Sequence, residues 1–183
     1  GFIVLGIMSF TTIGGQGAVL QMVNHGIVTA AAFAIVAIVA RAKHGDEEMD
    51  QISGLAKGAP WLAGIFLIVA MAALAVPGSN AFVGEFFILT GTFAERPVIA
   101  VFACIGIAYA AIYMLRMYQS TMNGPSDGDA AAAELRRGDV LYLAPLVIAM
   151  LFIALWPAAI AGSTKTSVEC ATTAAASLEQ PVS

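Results

Sequence analysis

The sequence predicts an all-α polytopic membrane protein, a helix bundle containing one broken transmembrane helix. Three observations predict it. Of the 183 residues, 60% are hydrophobic and only 11% are charged, with a mean hydropathy of +0.87, whereas soluble domains average about 25% charged residues. The apolar residues fall in runs of about twenty, the length of helix that crosses a hydrocarbon core about 30 Å thick. The longest run, from Pro60 to Phe93, is about 34 residues, which would extend roughly 51 Å as one helix, and it is interrupted near its middle by turn-forming residues.

Taken along the chain, a transmembrane bundle over residues 1–162 is expected, followed by a tail. Residues 1–11 open with GFIVLGIMSF, too short to span, and read as the second half of a helix that starts earlier in a longer chain. No initiator Met and no basic segment precede that run, so a signal peptide is not expected. Residues 17–40 are the first complete span, 60–93 the broken one, 97–118 the third and 140–162 the fourth. The loop SDGDAAAAELRRGD reads as a short surface helix with Asp129 as its N-cap and Arg136 and Arg137 in its last turn. The tail 163–183 is rich in Ala, Thr and Ser with few large apolar residues, and is expected to be poorly ordered.

Charge placement gives the orientation. The loops 41–59 and 119–139, with the helix ends beside them, carry Arg41, Lys43, Lys57, Arg116, Arg136 and Arg137, while the opposite side carries Arg96 and Lys165. An excess of Lys and Arg marks the cytoplasmic face, which places both loops inside and the tail outside. Trp61, Tyr118 and Tyr142 fall at inner helix ends and Trp156 at the outer end, the interfacial positions aromatics favour. The net charge of −4 is dispersed over loops, which argues against nucleic-acid binding and leaves the lipid bilayer as the surrounding medium. Cys104 and Cys170 stand far apart, so neither a disulfide framework nor a metal-ligand cluster is predicted. Without a P-loop, a G-x-G-x-x-G or a cysteine cluster, the chain offers no motif for a nucleotide, flavin or iron–sulfur cofactor of its own.

Glu85 is the one charge between Pro60 and Phe93. A charge at the bilayer centre costs roughly 2.5–3.5 kcal/mol on insertion scales, which makes such a residue a functional-site candidate, here for moving ions. Pro77 cannot continue the helical hydrogen-bond ladder, and Gly78, Ser79 and Asn80 supply a turn directly after it. Two half-helices are therefore expected, about 60–75 and 81–93, broken near 76–80, with Gly84 and Glu85 in the first turns of the second. Broken helices at membrane depth are tolerated where protein buries them or water fills a cavity, and they form the ion sites of transporters. The alternative is a proline kink used only for packing, with the carboxyl kept neutral by a neighbour.

His25 lies roughly eight residues from the outer end of its span, near 12 Å deep, and Glu85 lies at a similar depth in its own. Histidine changes charge between about pH 5 and 8, so the two residues together are candidates for proton transfer. The alternative for His25 is an interhelical hydrogen bond beside Asn24 and Gln21. Asn24 and Thr29 are candidate polar or water contacts, and Thr29 serves equally well as a packing residue.

The stretches GAVLQMVNHGIVTAAAF (17–33), GLAK (54–57) and LAVPGSNAFVGEFFILTGTF (74–93) together resemble chain M, the proton-pumping antiporter-like chain of bacterial respiratory complex I, equivalent to mitochondrial chain 4. YMLRMYQSTMNGP (113–125) resembles its actinobacterial members. The resemblance covers about residues 1–160, and GEF at 84–86 is its most specific part, because sister antiporter-like chains carry lysine where this sequence has Glu85. It implies a bundle of about fourteen helices built on two inverted repeats, each with one broken helix, of which this chain is the C-terminal part. It also implies a hydrated axis of ionisable residues to which His25 and Glu85 belong. The first repeat, with its own glutamate and lysines, lies outside this sequence. NADH, FMN, iron–sulfur clusters and quinone are implied in the partner subunits, membrane and peripheral, of complex I. Two rival expectations remain, a subunit of a multisubunit cation/proton antiporter or membrane-bound hydrogenase, and a structural helix module whose polar residues only hold helices together.

The charge pattern predicts that, in the intact complex, a cysteine placed at Ser126 reacts with a membrane-impermeant reagent from the cytoplasmic side only, and native Cys170 from the outside only. Labelling in right-side-out and inverted vesicles checks this, and the reverse pattern would invert the depth estimates for His25 and Glu85.

Overall fold

The computed structural model of the chain describes residues 1–42, 53–124 and 133–178. Every regular element among them is an α-helix. In chain order these are α1 (Phe2–Met8), α2 (Thr12–Ala42), α3 (Leu55–Gly58), α4 (Pro60–Ala73), α5 (Asn80–Glu95), α6 (Pro97–Met122), α7 (Arg137–Leu155) and α8 (Ala158–Leu178). Three of them are long and apolar enough to cross a membrane: Thr12–Arg41, Pro97–Met122 and Arg137–Leu155. The helices group into two compact units, and α2, α6 and α7 each contribute one stretch to both.

The first unit comprises Gly1–Gly26, Ala75–Ala108 and Leu151–Ser183. Within it, α1 and α2 are separate elements because Phe10, at φ +53°, turns the chain between them. Ser9 holds that turn, with its hydroxyl bonded to the Gly6 carbonyl at 2.8 Å and to the Thr11 hydroxyl at 2.9 Å. Gly6 is buried, and a Cβ there would lie 2.7 Å from the Gly14 carbonyl oxygen and 2.8 Å from Ile88, so α1 lies close to both α2 and α5.

The second unit comprises Ile27–Leu74 and Tyr109–Met150. Its core joins Ile35 and Ile38 of α2, Leu55 of α3, Leu62 and Val69 of α4, Met122 of α6 and Leu143 of α7, each at most 1% exposed. Pro60 opens α4 at the position where its missing N–H costs nothing. Tyr118 packs its ring on Phe66 at 5.3 Å between centroids and donates its hydroxyl to the Ala63 carbonyl at 3.3 Å.

Asp139 joins three other residues of this unit, Arg41, Arg136 and Tyr142. Its carboxylate is bound at two points by Arg41, at 2.8 and 2.6 Å, and accepts the Tyr142 hydroxyl at 2.8 Å and the Arg136 backbone N–H at 2.9 Å. It sits in the first turn of α7, so the bond to Arg136 caps the helix while Arg41 ties the end of α2 to the start of α7.

The expected element boundaries move in several places. The first span begins at Thr12 rather than 17, and the broken span stops at Ala73 and resumes at Asn80 rather than running to 75 and from 81. The third span extends to Met122. The fourth is Arg137–Leu155 rather than 140–162, because Trp156 and Pro157 interrupt it. Arg137 therefore opens a transmembrane helix instead of ending a surface one, and the proposed N-cap Asp129 lies outside the described residues. The tail expected to be poorly ordered from 163 is helical to Leu178. Alanine is the best helix former, and the tail's alanines need no large core to hold a helix. The tail is also anchored: Val168 is 9% exposed and lies against Gly15, and the Thr172 hydroxyl meets that of Thr12 at 3.2 Å.

Candidate functional site

The site is built on the start of α5 and on α2, all within the first unit. The chain reaches it through a turn. Ala75 takes φ +48° directly after the last residues of α4, the left-handed conformation that glycine usually supplies past a helix end. For alanine that conformation costs roughly 1–2 kcal/mol. Ser79 N–H then bonds the Val76 carbonyl at 2.8 Å, closing a turn with Pro77 and Gly78 at its centre and Gly78 at φ +97°. Proline followed by a positive-φ glycine is the pairing a type II turn requires. Ser79 has extended backbone and precedes the first helical residue, Asn80.

Close approach of α2 and α5 sets the geometry. A Cβ at Gly17 would lie 2.7 Å from the backbone nitrogen of Ile88 and 2.8 Å from the carbonyl oxygen of Gly84. One at Gly91 would lie 2.6 Å from the backbone nitrogen of Gly14. These are main-chain atoms, so no rotamer change relieves the clash. Gly17 on one helix and Gly84 and Gly91 on the other are small residues that let two membrane helices touch along their backbones.

That contact brings amides of α2 onto α5 at two places, Asn24 at Asn80 and Gln21 at Glu85. Asn24, fully buried, donates to the Asn80 backbone carbonyl at 2.7 Å and accepts from the Asn80 side chain at 3.1 Å. One turn earlier on α2, Gln21 donates from Nε2 to Oε1 of Glu85 at 3.2 Å. Glu85 is half-buried, and Gln21 and Asn80 are 7% and 2% exposed. Three buried oxygens, Oε1 of Gln21, Oγ of Ser79 and Oδ1 of Asn80, have no hydrogen-bond partner among the described residues. Polar interhelical bonds in membranes average only about 0.6 kcal/mol, too little to account for so many polar atoms in an apolar segment by stability alone.

Of the residues singled out in the sequence, Asn24 pairs with Asn80, Gly84 and Glu85 both lie against Gln21, and Pro77, Gly78 and Ser79 form the turn that leads in. His25 follows Asn24 on α2 and is exposed, and Thr29, one turn on, is half-buried. Gln21 and His25 are spaced i, i+4 and so share one face of α2. Gln21 was not among the predicted site residues; its polar character inside an apolar run was the available signal. Among the described residues, no group of three His, Cys, Asp or Glu is arranged to hold a metal ion.

A bundle of apolar helices, one of them broken and carrying a carboxylate one turn past the break, defines a polytopic membrane chain. The family described as "NADH:quinone oxidoreductase/Mrp antiporter, TM" matches residues 1–110, and the chain belongs to it. The chain is a multi-pass membrane protein. It is 37% identical over 158 residues to NADH-quinone oxidoreductase subunit M of Mycobacterium tuberculosis, an alignment covering 86% of this chain and 28% of that one. The subunit M of Rickettsia conorii is 32% identical over 171 residues, covering 92% and 34%. The chain thus spans about a third of the length of these relatives. Among solved structures, respiratory complex I from Thermus thermophilus with bound NADH contains a similar chain, at a TM-score of 0.83 and 26% identity, covering 94% of this chain and 36% of that one.

The backbone contact predicts that Gly17→Ala lowers the thermal stability of the assembled complex by an amount on the scale of core overpacking, about 1–3 kcal/mol. Gly26→Ala, on the same helix with nothing within 4 Å of the new Cβ, should leave it unchanged. Thermal inactivation of the two purified variants makes the comparison, and equal behaviour would remove the close α2–α5 crossing.

Proposed function

We propose that the chain forms part of a proton-translocating membrane subunit of NADH:quinone oxidoreductase, in which partner subunits carry out NADH oxidation and quinone reduction. The carrying observation is Glu85, a carboxylate half-buried on an apolar helix one turn past a break and hydrogen-bonded by Gln21. It lies inside the stretch matched by the family, and relatives similar to this chain over most of its length are named subunit M of that enzyme.

In this reading Glu85 and His25 are proton-transfer residues on a hydrated path, and Pro77, Gly78, Ser79, Asn80 and Gly84 form the hinge that brings that path to the carboxyl. Buried oxygens without partners among the described residues, those of Gln21, Ser79 and Asn80, are acceptors for the water such a path needs. NADH, FMN, iron–sulfur clusters and quinone belong to the partner subunits. The chain lies in the bacterial inner membrane, with loops 41–59 and 119–139 in the cytoplasm and the C-terminal tail outside. A second reading, a module whose amides serve only to hold helices together, is favoured by one observation, the reciprocal Asn24–Asn80 pair.

Proton pumping in vesicles holding the intact complex, normalised to quinone reduced, tests the proposal. His25→Ala and Glu85→Gln should each reduce pumping, the latter by about tenfold or more, as for loss of a positioned proton carrier. Residues of one path couple, so the double variant should be little worse than the more severe single one. Full pumping by an assembled Glu85→Gln complex favours the structural reading, and additive losses separate the two residues into independent sites.

A further inference from the structure

Gln21 is an unusual residue to bury on an apolar helix. It is 7% exposed, and its amide is engaged at one end only: Nε2 reaches Glu85 at 3.2 Å while Oε1 is buried without a partner among the described residues. The hydrogen bond from Gln21 is the one described for the Glu85 carboxylate. The space Gln21 fills exists because position 84 has no side chain. A Cβ at Gly84 would lie 2.8 Å from Oε1 of Gln21, 3.2 Å from its backbone nitrogen and 3.4 Å from its Cα. The glycine that precedes the carboxylate and the amide that binds it are therefore parts of one fit.

An amide carries a donor and an acceptor on the same carbon. An ionised carboxylate accepts only, whereas a protonated carboxyl also donates. A half-turn about the last side-chain bond exchanges Nε2 and Oε1, so Gln21 satisfies Glu85 in either state from an unchanged backbone. Lysine can only donate, and an apolar side chain would leave the carboxyl without this partner in both states.

We propose that Gln21 is a positioning residue for Glu85, holding its carboxyl in one orientation both before and after it takes up a proton, with Gly84 providing the room. The inference rests on Glu85 being a proton carrier, and its test is arranged so that the two can fail separately.

The measurement is the carboxyl C=O band of Glu85 in infrared difference spectra of the intact complex, assigned by its disappearance in Glu85→Gln, together with protons pumped per quinone reduced. Gln21→Met keeps the length and shape of the side chain and removes the amide. It should shift the band to higher wavenumber, as for a carboxyl that has lost its hydrogen-bond partner, and lower pumping by about tenfold, the scale of a charge-assisted hydrogen bond expressed in a barrier. Gly84→Ala displaces Gln21 from the other side and should shift the band in the same direction, which covers the case of a Gln21→Met complex that does not assemble. A shifted band with reduced pumping supports the assignment. If Glu85→Gln abolishes pumping while the amide and glycine variants keep the band and the pumping of the unaltered complex, Gln21 is excluded as a positioning residue. If Glu85→Gln pumps fully, the reading of Glu85 itself falls.

Discussion

The main-chain contact between α2 and α5 is the constraint on which the site depends. Gly17 faces backbone atoms of Gly84 and Ile88, and Gly91 faces the backbone of Gly14, at separations that leave no room for a Cβ on Gly17 or Gly91. With the helices that close, side chains as short as those of Asn24 and Gln21 can reach across to α5 and hold Asn80 and Glu85. Wider spacing would fill the gap with apolar side chains and leave the amides without partners, an outcome strongly disfavoured in hydrocarbon.

The helix break has meaning in the same terms. An unbroken segment from Pro60 would pair every backbone group internally and present Glu85 on a smooth apolar rod. Ending α4 at Ala73 and restarting at Asn80 makes Asn80 the first residue of a helix, where its side chain and carbonyl are both engaged by Asn24. It also puts Glu85 in the second turn, near the positive end of the helix dipole. Left-handed conformations at Ala75 and Gly78 are the local cost of that arrangement, and local strain of this kind gathers at functional sites.

Much of this was legible in the sequence and some was not, for identifiable reasons. Glu85 and Pro77 stand out because a lone charge and a proline are improbable in an apolar run, whatever the fold around them. The first half-helix ends earlier than expected because the chain turns at Ala75, a residue whose type carries no turn signal. The bond from Gln21 to Glu85 is not legible in the sequence, because it depends on which face of α2 meets α5, which glycine spacing permits but does not dictate. The Arg41–Asp139 pair joins residues far apart in sequence, a contact that no local pattern encodes. The tail misled because low hydrophobicity was read as disorder, although an alanine-rich segment anchored by Val168 and Thr172 needs little apolar burial to remain helical.

The central claim is that the break delivers Glu85 to the place where it acts. Replacing Pro77 and Gly78 together with alanine restores the helical hydrogen bond and removes the positive-φ glycine, so the segment should move toward a continuous helix. The direct test is the number of protons pumped per quinone reduced by the intact complex carrying both replacements. Pumping lost in an inserted, quinone-reducing complex is the result this account predicts. Pumping at the level of the unaltered complex would contradict it.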